Sequence, residues 1–168
     1  MKESSSNTIL EQALRALTEL RLDDAEKGFR KVISAESNTR SSQICARAYI
    51  ALGLTIACKM DCQEDLLESR YYFFCSGLYS GNPDAFLLAA RTSKLIPPSE
   101  LFQPRGQTLD CYDNAIAVLS RNGFMDKIKR FFSKDAMSDE ERNERLKQIM
   151  QEREKFLAEF DEASDALE

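Results

Sequence analysis

QICARAYIALGLTIACKM, residues 43 to 60, has apolar side chains on nearly every side of a helix, because only Gln43, Arg47, Thr55 and Lys59 interrupt them. A helix with this pattern is covered by neighbouring elements on most of its sides. No apolar run in the chain reaches the ~20 residues that span a membrane. We therefore expect this segment to be a central helix of a folded domain.

The composition predicts an all-α chain. Its 168 residues, 43% apolar and 30% charged, are enough for one domain with a substantial core. Helix-forming residues are abundant, whereas there are six glycines, four prolines and no tryptophan. A formal charge of −5 argues against a nucleic-acid binder, which carries a basic excess. The N-terminus lacks the features of a secretion signal, so we expect a cytoplasmic protein that binds neither nucleic acid nor membrane.

The apolar spacing on both sides of the central segment predicts further helices, which makes eight in all. They cover about Thr8 to Leu20, Asp23 to Ala35, Ser41 to Met60, Gln63 to Tyr79, Pro83 to Leu95, Thr108 to Arg121, Phe124 to Phe132 and Ser138 to Ala163. Asn7 or Thr8 is the expected first N-cap. In the fourth helix, Leu67, Tyr71, Phe74 and Leu78 share one stripe. IPPSELFQPRG, residues 96 to 106, is the one long irregular stretch.

The residues that most enzymes use are missing. The chain has no histidine, so the usual general base and every Ser-His or Cys-His pair are absent. Its five cysteines are an odd, scattered set. A metal site at Cys58 and Cys62 would need two further thiolates. Carboxylate pairs such as Asp23 and Asp24 stand where helices begin, which suits the helix dipole. We therefore expect buried cysteines, no metal, no cofactor and no enzymatic activity.

Two short patterns carry a resemblance to a known family. Tetratricopeptide repeats have W-x2-L-G-x2-Y in the first helix and A-x3-F in the second helix of each unit. YIALGLTI, residues 49 to 56, places Tyr49, Leu52, Gly53 and Ile56 in the first pattern, and Ala25 with Phe29 matches the second pattern of the preceding unit. The chain therefore resembles tetratricopeptide-repeat proteins over roughly residues 8 to 120.

The remaining units match less closely. Unit one would use Ile9, Gln12, Ala13 and Ala16, and unit three would use Phe86, Ala89, Ala90 and Ser93. In unit two, Ser69 and Phe73 fit only if the turn is about four residues longer than in the repeat pattern. The resemblance implies a right-handed α-solenoid of about three helix pairs. We accordingly expect a TPR-like domain over residues 8–134 and a charged C-terminal helix over 138–168; the alternative is an irregular helical bundle.

The function that this resemblance implies is to hold a peptide or helix of another protein in a concave groove, as an adaptor or chaperone does. The first-helix register of the repeat places Leu10, Leu14, Leu17, Arg47, Ile50, Leu54, Leu87, Arg91 and Lys94 in this groove. Such a surface suits a segment that carries Leu, Phe and acidic residues. If the register is off by one, the same leucines are core residues. The length and acidity are similar to those of type III secretion chaperones, from which the lengthened turn and the Pro97-Pro98 loop depart.

The alternative function is regulatory, with a small molecule bound between the helices. Its pocket would be lined by Tyr71, Tyr72, Phe73 and Phe74. An aromatic run of this kind is also what a buried helix contains.

The C-terminal third consists of a basic segment followed by an acidic one. Residues 121 to 134 hold five Lys or Arg and one Asp, and their Phe124, Ile128 and Phe131 are expected to cap the solenoid, with membrane or partner binding as alternatives. Residues 138 to 168 hold eleven Asp or Glu and five Lys or Arg. Leu146, Ile149, Phe156 and Phe160 form a heptad-like seam along this last helix. We expect the seam to pack back on the domain or on the same helix of a second chain.

Overall fold

The structure, a computed structural model, describes residues 2–36, 43–59, 62–99, 102–132 and 137–165, and the side chains of 5–36, 43–59, 62–99, 102–120 and 137–161. These residues form seven helices: α1 (Lys2–Thr18), α2 (Leu22–Glu36), α3 (Gln43–Lys59), α4 (Gln63–Ser80), α5 (Pro83–Ser93), α6 (Pro104–Phe132) and α7 (Asp139–Asp165). An isolated bridge between Ser99 and Phe102 is the one β-type pairing among them. The all-α prediction is confirmed.

The largest differences from the predicted helix boundaries are in α1 and α6. The first helix begins at Lys2, so Asn7 and Thr8 lie inside it and are not its caps. Residues 104–132 form one helix where two were predicted, because an interior glycine such as Gly123 costs only ~1 kcal/mol relative to alanine and does not stop a helix that continues on both sides. Pro104 at the start of α6 occupies a position where its missing N–H is no loss.

The helices pack in chain order. Each helix contacts the next one, and α1 also contacts α3. One apolar cluster lies between α1, α2 and α3, around Leu10, Phe29 and Leu52. A second cluster joins α4 to α7 and includes Phe86 and Tyr112. The central α3 buries eight of its residues.

Small residues set the closest helix contacts. A Cβ on Gly53 would lie 2.7 Å from the Phe73 ring and 3.2 Å from the Ser69 carbonyl oxygen. The Ser69 hydroxyl also donates to the Gly53 carbonyl, at 2.9 Å. A Cβ on Gly28 would lie 2.6 Å from that of Ala13, where α2 crosses α1. The chain therefore needs glycine at both crossings.

The α5–α6 connection is held at both ends. Ile96 and Phe102 are buried, whereas Pro97 and Pro98 between them are exposed. Arg70 of α4 lies over the Phe102 ring at 5.5 Å, and its Nε donates to the Ser93 hydroxyl at 2.8 Å. This arginine ties the connection to the helix pair on either side of it.

Some predicted features fall outside the described residues. They include the segment 37–42, residues 133–136, and the side chains of Phe124, Ile128 and Phe131 that were expected to cap the domain. In the part of the chain that is described, no helix combines the length and apolar character needed to cross a membrane.

Candidate docking surfaces

In the α1–α3 part of the predicted groove, the two helices are neighbours, but one of the predicted residues is buried. Arg47 of α3 reaches Glu11 of α1 at 3.4 Å, so the two helices that were expected to line the groove lie side by side. Leu54 is 42% exposed. Leu14, Leu17 and Ile50 are half-buried against the two apolar clusters. Leu10 is fully buried in the α1–α3 cluster, so its assignment to the groove was wrong; at that point the apolar stripe of α1 faces inward.

Helix α7 lies against the α5 part of the predicted groove, although Arg91 and Lys94 stay exposed. Leu87 is buried in the second cluster, which corrects its assignment as an accessible groove residue. The Arg91 guanidinium donates to both carboxylate oxygens of Glu152 at 3.2 Å. The Lys94 ammonium lies over the rings of Tyr112, at 5.7 Å, and Phe156, at 5.4 Å. The three predicted residues of α5 are thus brought together, and their neighbour is the chain's own last helix.

The seam residues of α7 face this surface. Ile149 and Phe156 are buried in the second cluster, and Leu146 and Phe160 pack against its edge. Arg153, which interrupts the heptad pattern, donates to Asp113 of α6 at 2.9 Å. The seam therefore packs on α5 and α6 of the same chain.

Glu152 is the electrostatic centre of this contact. Burial opposes its ionisation, but hydrogen bonds from Arg91 and from the Tyr112 hydroxyl, at 3.0 Å, outweigh that effect and hold the pKa of Glu152 below its ordinary value. Burial raises the pKa of Tyr112, so this hydroxyl keeps its proton and donates to the carboxylate. One carboxylate thus joins α5, α6 and α7.

A second surface was not predicted. Four of the five tyrosines and Leu78 form what we call the tyrosine surface: Tyr49, Tyr71, Tyr72, Tyr79 and Leu78. Ring centroids are 5.5 Å apart for Tyr71–Tyr72, 5.9 Å for Tyr72–Tyr49 and 5.3 Å for Tyr49–Tyr79. Tyr71 is 55% exposed and Leu78 is 61% exposed. Tyr71 and Leu78 share the predicted stripe of α4 with the half-buried Leu67 and Phe74, but these two side chains face solvent.

The aromatic run of α4 does not line one pocket. Phe73 points at Gly53 of α3, and Phe74 packs edge-on against Phe86 of α5 at 5.4 Å. Tyr72 meets Arg30 of α2, whose Nη1 donates to its hydroxyl at 2.6 Å. Consecutive helical residues point about 100° apart, so the run divides among three neighbouring helices and solvent. The small-molecule pocket expected from these four residues is not formed.

The cysteines fall into two groups. Cys45, Cys75 and Cys111 are buried, whereas Cys58 and Cys62 are exposed, which corrects the expectation that all five are core residues. Burial raises the pKa of Cys45 and of Cys111 to about 11, so both stay protonated thiols near neutral pH. Among the described side chains, no cluster of three cysteine or carboxylate groups is arranged to hold a metal ion.

Comparison of the chain with protein-family models, with curated proteins and with solved structures finds no match. Its function must therefore be inferred from these two surfaces.

Proposed function

We propose that the chain is a protein–protein interaction adaptor that binds an extended, proline-containing segment of a partner on the tyrosine surface. The observation that carries the proposal is the exposure of Tyr71 and Leu78 beside three further tyrosines in ring contact. Tyrosine is enriched among the residues that dominate binding energy at protein interfaces, whereas a structural role would bury these rings.

The charge of the surface favours an uncharged ligand. Arg30, the cation beside the tyrosines, donates to Glu26 at 2.8 Å, to Glu68 at 2.7 Å and to the Tyr72 hydroxyl. Each of its three nitrogens is thus already bonded within the chain, and no charge is left over for an acidic helix. Proline-rich segments instead dock on aromatic-lined surfaces, because their pre-formed helix loses little entropy and exposes its carbonyls to donors.

The hydroxyls of Tyr49 and Tyr72 differ in their hydrogen bonds within the chain. Burial raises the pKa of Tyr72 to about 12, and that of Tyr49 is raised for the same reason. Both phenols therefore remain protonated under physiological conditions. The Tyr72 hydroxyl already donates its proton to Glu68 at 2.8 Å, so the Tyr49 hydroxyl is the donor that we assign to a carbonyl oxygen of the ligand. The tyrosine rings supply apolar contact, and the hydrogen bond from Tyr49 fixes the orientation of the bound segment.

We infer that the scaffold is an α-solenoid of three TPR-like pairs, α1–α2, α3–α4 and α5–α6. Support comes from packing in chain order, from the additional α1–α3 contact, and from Gly53 facing Ser69 and Phe73 across one pair. In such a stack each unit contacts only its neighbours and leaves an extended surface for a ligand. An adaptor or chaperone of the kind expected from the sequence uses a surface of this sort.

Intrinsic fluorescence tests the proposal directly. The chain has no tryptophan, and four of its five tyrosines lie on the proposed surface, so tyrosine emission reports on occupancy. A synthetic peptide of Pro-Pro-Leu repeats, which contains no tyrosine, should change the emission saturably. The double variant Tyr71→Ala, Leu78→Ala should bind at least about tenfold more weakly, as expected for loss of two central contacts.

The matched control is Leu20→Ala with Leu95→Ala, which removes two other leucines that are 77% and 64% exposed. It should bind as the wild type does. Equal affinity of the tyrosine-surface variant and the wild type, with unchanged helical content, would show that the surface is not the docking site. Preference for an acidic helical peptide over the proline peptide would contradict the proposed ligand.

A further inference from the structure

The surface under α7 recognises a short pattern of residues. Ile149 and Phe156 enter the apolar cluster, while Glu152 between them accepts from Arg91 and Tyr112. Lys94 lies over the Phe156 ring. An aliphatic residue, a glutamate three residues later and a phenylalanine four residues after that therefore meet complementary groups on α5 and α6. We call this face of α5 and α6, with Leu87, Arg91, Lys94 and Tyr112, the α7 site.

Helix α7 is held much less extensively than its neighbours. Of its described side chains only Arg142, Ile149 and Phe156 are buried, whereas α3 buries eight residues over a shorter length. Its other contacts include ion pairs that are open to solvent and salt, such as Arg153 with Asp113 and Arg105 with Asp161. Exposed pairs of this kind stabilise little. Opening of α7 therefore needs less free energy than unfolding of the domain.

We propose that the α7 site is a docking site for an acidic amphipathic helix of a partner protein, and that α7 is the occupant that such a helix displaces. Charge complementarity favours this ligand, because Arg91 of α5 pairs with Glu152 and Lys94 of α5 also favours the charged form of this carboxylate. The partner would carry the pattern aliphatic-x2-Glu-x3-Phe on one face. This site is separate from the tyrosine surface, and the inference does not depend on that surface binding anything.

The tether makes α7 an internal competitor. A free helix binds only to the fraction of molecules in which the site is open, so its apparent affinity falls by that fraction. Weakening the contacts of α7 without changing the site should therefore tighten binding of an external helix. A helix with a purely structural role predicts the opposite, since its loss would damage the surface it covers.

A labelled synthetic peptide of residues 138–161 is the probe, and fluorescence anisotropy with the full chain is the measurement. The variant Ile149→Ala, Phe156→Ala has an intact site and a weakened occupant. It should bind the peptide at least tenfold more tightly than the wild type does. A milder variant, Glu152→Gln, should give a smaller gain, so the result does not depend on one variant folding.

Two controls identify the site. Adding Arg91→Glu to the weakened-occupant variant should remove the gain, and a peptide with Glu152→Lys should bind neither protein. Hydrogen exchange of the wild type with saturating peptide should then show faster exchange in α7 and unchanged exchange in α3. If both α7 variants retain wild-type helical content and bind the peptide no better than the wild type does, α7 is a fixed part of the fold and the proposal is overturned.

Discussion

Helices α3 and α7 are held in different ways. Helix α3 is covered on most sides, and its contacts depend on shape: Gly53 leaves room for the Phe73 ring, and Ser76 of α4 donates to the Ala46 carbonyl at 3.0 Å. Helix α7 has two buried apolar side chains and a row of ion pairs. A closely packed contact loses stability when even a single methyl group is added. Solvent-exposed ion pairs instead weaken gradually as salt is added or the pH is lowered.

Because of this difference, substitutions in the two helices should affect different processes: unfolding of the domain for α3 and opening of the last helix for α7. Changes at α3 should lower the free energy of unfolding of the whole domain, because the helix supplies Leu52 and Ile56 to the first apolar cluster and its Ile50 packs against the second. Changes at α7 should alter the opening of that helix and leave α1 to α4 folded.

The variant Gly53→Val should destabilise the protein by about 3 kcal/mol, at the upper end of the cost of overpacking a core. Its first added carbon would lie 2.7 Å from the Phe73 ring and 3.2 Å from a backbone oxygen, so both helices would have to move. Urea unfolding followed by circular dichroism measures the loss. Gly106→Val in α6 is the control, because no atom lies within 4 Å of the added carbon there. Equal losses in the two variants would show that the α3–α4 contact is not tight.

The variant Phe156→Ala should weaken docking of α7 by about 2 kcal/mol, the value of burying one large apolar side chain. A cavity at position 156 would add to this cost only if α7 stayed docked. Since α7 can leave the surface, the effect should stay near the value for burial alone. Limited proteolysis should cut α7 first, while α1 to α4 remain protected. Met150→Ala, at a position that is 49% exposed on the same helix, should leave the cleavage pattern unchanged. Loss of α3 protection in Phe156→Ala would show that the two regions unfold together.

The sequence predicts helix boundaries well where residues next to the boundary determine them. The predicted fourth helix ends at Tyr79 and the fifth begins at Pro83. In the structure Gly81, between them, has a φ of 61°, and the Asn82 side chain accepts from the Asp84 N–H. Apolar spacing located the remaining helices to within a few residues, except that α1 begins at Lys2 and α6 continues through Gly123. These signals lie within a few residues of the boundary they set.

The surfaces were harder to predict, because they depend on residues far apart in the chain. A shift of one position in the repeat register moves Leu10 from groove to core, since neighbouring helical residues point about 100° apart. The pairing of Arg91 with Glu152 joins residues 61 positions apart, and the stack of Tyr49 on Tyr79 joins two helices. The spacing of Tyr71, Leu78 and Tyr79 was a usable signal, but it does not tell an inward face from an outward one.

Acid should release α7. The pKa of Glu152 is lowered in the folded protein, so its contribution to docking is present above its ordinary pKa of 4.5 and is lost as the pH falls through the folded-state value. Proteolytic protection of α7 should therefore be constant near neutral pH and decrease below about pH 4.5. Glu152→Gln should lower protection at neutral pH by about 1 kcal/mol, the value of one hydrogen-bonded pair, and flatten the acid dependence. An unchanged acid profile in this variant, with Glu154→Gln as control, would assign the release to other carboxylates.

The smallest effect should come from Leu20, in the turn between α1 and α2. Leu20 has a φ of 58°, a left-handed conformation that costs residues other than glycine roughly 1–2 kcal/mol. The turn is fixed by hydrogen bonds from the Leu20 N–H to Leu17 and from the Arg21 N–H to Ala16, and the Leu20 side chain is 77% exposed. Glycine relieves the strain but adds freedom to the unfolded chain, so Leu20→Gly should stabilise the protein by only about 0.5 kcal/mol. Leu20→Ala keeps the strained conformation and should leave stability unchanged.

Urea unfolding should detect the gain in Leu20→Gly. Proteolysis of α7 should proceed at the wild-type rate, because the turn joins α1 and α2 and lies in a different region of the molecule from α7. Destabilisation by both substitutions would instead mean that the Leu20 side chain contributes packing that outweighs the strain of its backbone.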